Sequence, residues 1–419
     1  MSTVEETMSG CPDSRAAKPA RVSRFRLAPQ ATFVGAIVAF VGITFAAGAP
    51  SPLFVLFQEE WLFPAWVLTI AFAIYAVTLL ATLLVAGSLS DHIGRRPVLI
   101  GALVIELASM LIFVFAPNIG WIIVARAIQG IATGAATSTF SATIVELAPE
   151  RHKKLGTLIG SIAPVGGLAL GALATGFAVQ FSSVPSVIIF GFLSIVFVVG
   201  TLVVVASPET VTRRAGALRS LVPRLSVPRA ARAEFASSIP VLIATWMVAG
   251  LFLGLAPSII RGLFSIDSGL LNGILVALQP AAGTAAAILF SRVNPRRAIN
   301  LGTAGVVIGV AFFLLGVVAH LLPLLFVGAV IGGSGFGAAF SATLRTIGPL
   351  AESHQRAELF AAIYLVSYLA YGGPALIAGG LVGVVGLEPT VIGYAGVAMV
   401  AAIAGLAARA RTSRALARA

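Results

Sequence analysis

Charged residues are scarce in this chain of 419 residues, since Asp, Glu, Lys and Arg together make up only 10% of it. An ordinary soluble domain carries about 25% charged residues, so this composition excludes a water-soluble protein. Cysteine is almost absent, and the single Cys11 cannot form an intramolecular disulfide. The four histidines lack the spacing of metal ligands, which excludes a structural zinc site; they are His92, His152, His320 and His354.

The sequence also lacks the motifs of an enzyme or of an ATP-driven pump. It contains no HExxH pair and no GxxxxGKS or GxxxxGKT phosphate loop, and no serine, histidine and aspartate set is recognisable. We therefore expect a protein that is not an enzyme and needs no cofactor or metal. Any work that it performs must draw on an ion gradient or on the gradient of its own substrate.

Apolar residues dominate what is present. They make up 58% of the chain and raise the mean hydropathy to +1.03. Because a membrane-spanning helix needs about 20 apolar residues, the composition allows about twelve spans and little else. The 44 glycines and 22 prolines fit this interpretation, since both residues are tolerated where transmembrane helices pack closely.

Hydropathy divides the chain into twelve predicted spans. In the first half they cover residues 32–57, 64–86, 97–116, 119–146, 156–180 and 184–206. In the second half they cover residues 238–258, 269–290, 298–319, 321–344, 358–386 and 388–408.

The longest break in hydropathy separates the two sets of six spans. We predict a disordered N-terminal tail, two six-helix bundles joined by a polar linker, and a basic C-terminal tail. The corresponding boundaries are 1–30, 31–206, 207–237, 238–408 and 409–419.

The positions of the basic residues predict the orientation of the chain. Of the 27 Lys and Arg residues, all except Arg126 and Arg261 lie in the two tails, the linker or alternate loops. By the positive-inside rule these regions are cytoplasmic, which places both termini in the cytoplasm and requires an even number of spans. The net charge of +12 therefore indicates membrane orientation rather than a nucleic-acid partner.

A short sequence recurs in the two predicted bundles. Residues 134–136, Gly-Ala-Ala, lead to Phe-Ser-Ala-Thr at 140–143, and Gly-Ala-Ala at 337–339 runs directly into Phe-Ser-Ala-Thr at 340–343. Both copies lie in the fourth span of six. Transporters built from two repeated halves place the substrate site between the halves, near the middle of the bilayer.

The loop between spans two and three, residues 87–97, reads GSLSDHIGRRP. It resembles the signature of the major facilitator superfamily, from which it departs at His92. The matching positions, predicted to form a cytoplasmic gate, are Gly87, Leu89, Asp91, Gly94, Arg95 and Arg96.

This resemblance implies an all-α membrane protein of twelve helices in two bundles. It also implies that Asp91 closes the cytoplasmic side by docking on span eleven, whose N-terminus lies near Ala357 and Glu358. Gly87 and Gly94 are expected to permit the tight turn of the loop. The second half has a weaker copy at residues 291–297 that lacks the aspartate, so we expect an asymmetric latch.

Span four contains Arg126-Ala127-Ile128-Gln129-Gly130. This segment is similar to a pattern in proton-coupled members of the superfamily, so Arg126, Gln129 and Gly130 are predicted to serve coupling or to line the cavity. Arg126 lies roughly 10 Å inside the bilayer, where a charge indicates a functional site. The alternative is an arginine that snorkels to the outer interface.

Three acidic residues are the remaining charges of interest near the spans. Glu106 lies near the middle of span three and is the only carboxylate deep in any predicted span. It is either a proton carrier or a neutral structural residue, and its protonation is sensitive to desolvation and to Arg126. Glu59 and Glu60, at the outer end of span one, are either interfacial charges or part of an outward-open cavity.

Small residues in span five give a weak resemblance to the drug-exporting branch. Pro164, Gly166, Gly167 and Gly171 fall near the positions of that branch's Gly-Pro pair and further glycines, with alanine in place of the glycine before the proline. The alternative is a helix-packing surface, for which small residues suffice.

Aromatic residues within the spans are predicted to line a substrate cavity. Trp246 lies in span seven, and Tyr364, Tyr368 and Tyr371 occupy one face of span eleven. Apolar spans with such walls suit small, partly hydrophobic molecules.

We therefore predict a secondary transporter that works by alternating access, most simply a proton-coupled exporter. An uptake symporter for a sugar or an organic acid is the alternative. It would be favoured by several charged or amide groups in spans one, four, seven and ten, which are scarce here. We expect a monomer in the plasma membrane, with a small-molecule substrate and the bilayer as its partners and no nucleic acid.

Overall fold

A computed structural model describes residues 27–222, 225–352 and 355–418. Within these ranges the regular structure is helical, and no strand occurs. Cys11, His354 and most of the predicted N-terminal tail, residues 1–26, lie outside the described residues.

Within the described residues, twelve helices are long and apolar enough to cross a membrane, which confirms the predicted number. Their ends lie within a few residues of the predicted spans, with larger differences at both ends of the seventh helix and at the end of the tenth. The helices are α1 Gln30–Trp61, α2 Trp66–Ala86, α3 Arg95–Phe115, α4 Ile119–Leu147, α5 Leu155–Phe181, α6 Pro185–Ala206, α7 Arg229–Phe264, α8 Gly269–Arg292, α9 Pro295–Val318, α10 Leu322–Leu350, α11 Glu358–Val385 and α12 Leu387–Arg411.

The polar linker is shorter than predicted, because α7 begins inside residues 207–237. Its first turn contains Arg232 and Glu234, and these charges concealed the start of the helix from a hydropathy argument. Glu234 forms an ion pair with Arg409, with 2.9 Å between Oε1 and Nη1. Arg409 is only 5% exposed. The helix that contains Arg409 continues to Arg418, so residue 409 is not the structural boundary of a tail.

The first helix of each half is interrupted at a similar depth. In α1 the helical hydrogen bonding is interrupted at Ala49, immediately before Pro50, although the backbone of Ala49 keeps helical dihedral angles. In α7 a π-helical turn at Leu251–Leu255 precedes Pro257. Proline cannot donate the next helical hydrogen bond, and a π turn accommodates one extra residue.

The repeated sequence has the same packing role in both halves. A Cβ atom on Gly134 of α4 would lie 2.5 Å from the carbonyl oxygen of Leu79 in α2, and a Cβ on Gly337 of α10 would collide with the backbone of Gly283 in α8. Glycine thus brings the fourth helix of each half against the second. This equivalence supports a duplicated architecture.

The two halves meet most closely at the end of the molecule away from the basic loops. We call the end with the linker and the loops after α2, α4, α8 and α10 the basic end, and the other the opposite end. At the opposite end the ion pair of Glu59 in α1 with Arg261 in α7 joins the halves. Nearby, a Cβ on Gly176 of α5 would lie 2.5 Å from Cα of Gly273 in α8.

Candidate functional site

Arg126 of α4 is buried in the interior of the first bundle. Its exposure is 2%, so the snorkelling alternative is wrong. The guanidinium donates hydrogen bonds to the carbonyl oxygens of Ala71 (3.3 Å) and Ala47 (3.4 Å) and to Oε1 of Gln129 (2.5 Å). Its central carbon lies 3.9 Å from the ring centroid of Tyr75. The cation is therefore held by uncharged acceptors and an aromatic face.

Gln129 connects this arginine to Glu106. Its amide nitrogen donates hydrogen bonds to the carbonyl oxygen of Ala46 at 2.9 Å and to Oε1 of Glu106 at 3.3 Å. Glu106 is fully buried, and its second oxygen, Oε2, has no hydrogen-bond partner among the described residues. The three residues form a continuous polar cluster with a vacant acceptor at one end.

The break in α1 explains why a carbonyl is available to Gln129. In an unbroken helix the oxygen of Ala46 would accept from the nitrogen of residue 50, but Pro50 has no N–H. A buried carbonyl without a partner is costly. The Gln129 amide satisfies it, so the helix break and the polar cluster share a hydrogen bond.

Gly130 allows this arrangement to form. A Cβ on Gly130 would collide with Oγ1 of Thr78 and would lie 2.5 Å from the carbonyl oxygen of Tyr75. Without a side chain at this position, α4 packs directly against α2. Arg126, one turn earlier on α4, is thereby brought over the ring of Tyr75.

The predicted aromatic residues come together on one wall of the second half. Ring centroids of Trp246 lie 4.9 Å from Tyr368 and 5.9 Å from Tyr371, and Tyr364 lies 6.3 Å from Tyr368. The indole N–H of Trp246 has no hydrogen-bond partner among the described residues. We call this set, with the two phenylalanines below, the aromatic wall.

Sequence reasoning missed Phe336 and Phe340 of α10, whose rings lie 5.8 Å and 5.3 Å from that of Trp246. Phe340 belongs to the repeated sequence, and its counterpart Phe140 stacks on Phe40 of α1 at 5.6 Å. The repeated sequence therefore contained a signal from which Phe340 could have been predicted. Tyr371 lies 4.6 Å from Phe72 of α2, so the aromatic wall reaches the helix that holds Tyr75.

The predicted gate loop is stabilised within its own half. Gly94 has φ +101°, which favours glycine, whereas Gly87 lies in the turn at residues 87–89 with an ordinary helical φ of −59°, which does not require glycine. Leu89 lies just before the single helical turn that carries Asp91. Asp91 accepts an ion pair from Arg95 Nη1 at 2.6 Å.

Among the described residues, no hydrogen bond or ion pair joins Asp91 to α11, on which it was predicted to dock. Asp91 and Glu358, from the first turn of α11, instead line a cavity of about 560 Å³ at the basic end. This cavity separates the gate loop from α11, because the two halves lie farther apart at the basic end than at the opposite end.

Two carboxylates that sequence reasoning missed support the loop. Glu209 accepts hydrogen bonds from the backbone N–H groups of Arg95 (2.8 Å) and Arg96 (3.1 Å), and Arg96 in turn donates to the carbonyl oxygen of Val204 at 3.2 Å. Glu146, at the end of α4, pairs with Arg95 at 3.1 Å. For Glu209, the signal in the sequence was an acidic residue shortly after span six. The start of α3 follows Gly94, which has no side chain to cap the helix, so an acceptor from elsewhere was to be expected.

The small residues of α5 have a packing role. Cβ atoms on Gly167 and Gly171 would collide with α1, at Thr44 and Phe45. Pro164 lies within the helix, and it leaves the carbonyl of Gly160 without its helical donor. Ser141 of α4 donates to that oxygen at 3.4 Å. Gly166 faces the other half instead, where a Cβ would lie 3.7 Å from Thr284 of α8.

Two duplicated six-helix bundles, a basic loop between the second and third helices, and a buried polar cluster beside the seam define a twelve-helix transporter. The sequence model of the Major Facilitator Superfamily matches residues 32–371. The chain belongs to this superfamily, as the loop motif predicted, and is a multi-pass membrane transporter of small molecules rather than an enzyme.

Similarities to individual proteins cover either a short segment or the whole fold. A Major facilitator superfamily multidrug transporter, mfsB, of Aspergillus fumigatus is 50% identical over 48 residues, which is 12% of this chain and 8% of the fungal protein. A crystal structure of the peptide transporter POT in complex with alafosfalin has a TM-score of 0.71 at 15% identity, covering 91% of this chain and 95% of that one. A partially occluded inward-open conformation of the xylose transporter XylE from E. coli has a TM-score of 0.68 at 13% identity, covering 90% and 96%.

Proposed function

We propose that this protein is a proton-coupled exporter of small, partly hydrophobic molecules in the plasma membrane, with its basic end in the cytoplasm. The observation that carries the proposal is the buried cluster of Arg126, Gln129 and Glu106, beside an aromatic wall at the seam between the halves. A buried carboxylate within reach of a buried cation is suited to exchange a proton. The positive-inside rule supports the orientation.

Gln129 supplies a coupling step. With Glu106 ionised, the amide nitrogen faces the carboxylate and the amide oxygen faces Arg126. A protonated Glu106 becomes a donor, so it favours the amide oxygen in place of the nitrogen. Reorientation of the amide would deprive Arg126 of its side-chain acceptor and release the guanidinium toward Tyr75 and the aromatic wall.

The aromatic wall supports the substrate class. Trp246, Tyr368 and Tyr371 offer large apolar faces with a few polar atoms, an arrangement that binds amphipathic molecules without fixing one hydrogen-bond pattern. The similarity to the fungal multidrug transporter segment agrees with export of such compounds.

An uptake symporter for a sugar, an organic acid or a similar polar solute is the second candidate. The similarity of the fold to the peptide and xylose transporters favours it. The scarcity of polar side chains on the aromatic wall argues against it.

Inverted membrane vesicles with a respiration-generated pH gradient distinguish the two candidates. We expect lipophilic cations or neutral antibiotics to dissipate the gradient in vesicles that contain the wild-type protein, and sugars and organic acids to leave it unchanged. Vesicles with Arg126→Ala serve as the control and should not respond. A response to the polar compounds alone would replace export by symport, and a response that persists in Arg126→Ala would remove the cluster from the mechanism.

A further inference from the structure

An apolar groove of about 660 Å³ runs along the seam between α5 and α8, with one side formed by α1. This volume lies within the range of ligand pockets, about 300–1,000 Å³. Of the described residues that line it, only Thr284 has a polar side chain. Its hydroxyl is already satisfied, because it donates to the carbonyl oxygen of Pro280 at 2.9 Å. The groove therefore suits an occupant that makes no hydrogen bonds.

The groove is the open part of a wedge between the two halves. Toward the opposite end the helices touch through Gly176 and Gly273, where any Cβ would clash. Toward the basic end they separate, and Ile288 of α8 is 39% exposed. An occupant of this wedge would keep the halves apart at the basic end.

The groove matches a lipid acyl chain in length. Its lining on α5 extends from Ile159 to Leu173, roughly 21 Å at 1.5 Å per residue. The hydrocarbon of one leaflet is about 15 Å thick, so a chain lying obliquely in the wedge spans its own leaflet.

Basic residues stand at the mouth of the groove. Arg151 and Lys153 lie in the short segment just before α5, with Glu150 paired to Lys153, and Arg292 ends α8 with an exposed side chain. Net positive charge at the membrane surface attracts anionic headgroups.

We propose that the groove binds one acyl chain of an anionic phospholipid, whose headgroup lies against Arg151 and Arg292, and that this lipid holds the basic end open. Closure of the two halves at the basic end would expel the acyl chain from the groove. The proposal does not depend on the direction of transport or on its coupling ion.

Photo-crosslinking of the full-length protein in lipid nanodiscs tests the site. The probes are phosphatidylglycerol and phosphatidylcholine with a diazirine in the acyl chain, and labelled peptides are identified by mass spectrometry. We expect phosphatidylglycerol to label residues 159–173 and 274–288 preferentially. Each of the substitutions Arg151→Gln and Arg292→Gln removes one positive charge and should weaken this labelling about fivefold. Equal labelling by both lipids, or labelling elsewhere on the helices, would overturn the proposal.

A pair of substitutions separates groove binding from general contact with lipid. Ala281 lines the groove and is exposed, so Ala281→Phe fills it and should abolish the preferential labelling. Ala311, on the exposed face of α9 and outside the groove, provides the matched control as Ala311→Phe. Unchanged labelling in Ala281→Phe would contradict a groove site.

The conformational effect has its own measurement. Spin labels at positions 157 and 291, both exposed, in a variant whose single Cys11 is replaced by serine, report the separation of α5 and α8 at the basic end. We expect phosphatidylglycerol to increase the population with the longer distance relative to phosphatidylcholine. An identical distance distribution in both lipids would refute the wedge even if lipid binds.

Discussion

Arg126 shows how single residues make a buried charge tolerable. An isolated cation in hydrocarbon is expensive, and this one is surrounded by two backbone carbonyls, one amide oxygen and the face of Tyr75. Its neighbourhood could be anticipated only in part from the sequence. Gln129 follows at helical spacing, but the contact with Glu106 depends on how α3 packs on α4, which no local pattern reports.

Replacing Glu106 by glutamine tests the proton site. Glu106→Gln keeps the size of the side chain and can accept the Gln129 hydrogen bond, but it cannot ionise. We expect the rate of substrate-driven proton movement to fall at least tenfold, because a positioned proton acceptor accelerates proton transfer by at least about that factor. The temperature of thermal unfolding in detergent should change little. The measurement is dissipation of the pH gradient in vesicles.

Glu60→Gln is the matched control, since Glu60 lies at the exposed end of α1 and should behave as wild type. Full proton coupling in Glu106→Gln would make Glu106 a structural residue.

Among the helices, the sequence predicted the spans well and their interruptions poorly. The apolar runs are long enough to fix twelve spans. Prolines within them gave no indication of which would break a helix: α1 breaks before Pro50, whereas α5 continues through Pro164. In both helices a side chain of α4 donates to the carbonyl that the proline leaves free, Gln129 to Ala46 and Ser141 to Gly160, and this packing is a tertiary property that the sequence does not report.

The backbone conformation at the start of α3 requires glycine at position 94, and this requirement can be tested. Gly94→Ala would place a Cβ in a backbone conformation with φ +101°, and that atom would lie 2.5 Å from Oε2 of Glu209. We expect a loss of about 1–3 kcal/mol in the free energy of unfolding, measured by denaturation in detergent.

The control lies on the same helix. Gly101 is helical with nothing within 4 Å of an added Cβ, so Gly101→Ala should stabilise α3 by up to about 1 kcal/mol. Equal effects of the two substitutions would remove the special role of Gly94.

In the whole molecule, the two ends of the seam are held differently. The opposite end is closed by the Glu59–Arg261 ion pair between the halves, while at the basic end Asp91 pairs within its own half. The sequence located both acidic residues but could not pair them, since the partner of Glu59 lies in the other half of the chain.

Breaking the pair at the opposite end should favour its opening. Both side chains are partly exposed, so Glu59→Gln is expected to raise the labelling rate of a cysteine at Ser258 only about twofold to fivefold. Ser258 lines a cavity beside Arg261. The charge-exchanged double variant, Glu59→Arg with Arg261→Glu, should restore the slow rate. Slow labelling in Glu59→Gln would show that glycine packing alone keeps this end shut.

At the basic end, Asp91→Asn is expected to reduce turnover severalfold without reducing expression. A neutral side chain cannot hold Arg95 in place or complement the positive N-terminus of α11 when the end closes, a contribution of about 1 kcal/mol. Turnover is measured as substrate efflux from vesicles at saturating substrate. Glu150→Gln, an exposed acidic residue at the same end, provides the control, and wild-type turnover in Asp91→Asn would remove the residue from the gate.

The membrane-buried ionisable pair lies entirely in the first half, whereas the second half contributes aromatic rings to the seam. Ionised, Glu106 offsets the charge of Arg126; protonated, it leaves one uncompensated positive charge in the first bundle alone. Moving a full charge through the bilayer field is worth about 2.3 kcal/mol per 100 mV. We therefore expect the membrane voltage to act on the conformational equilibrium of the protonated transporter more strongly than on that of the deprotonated one.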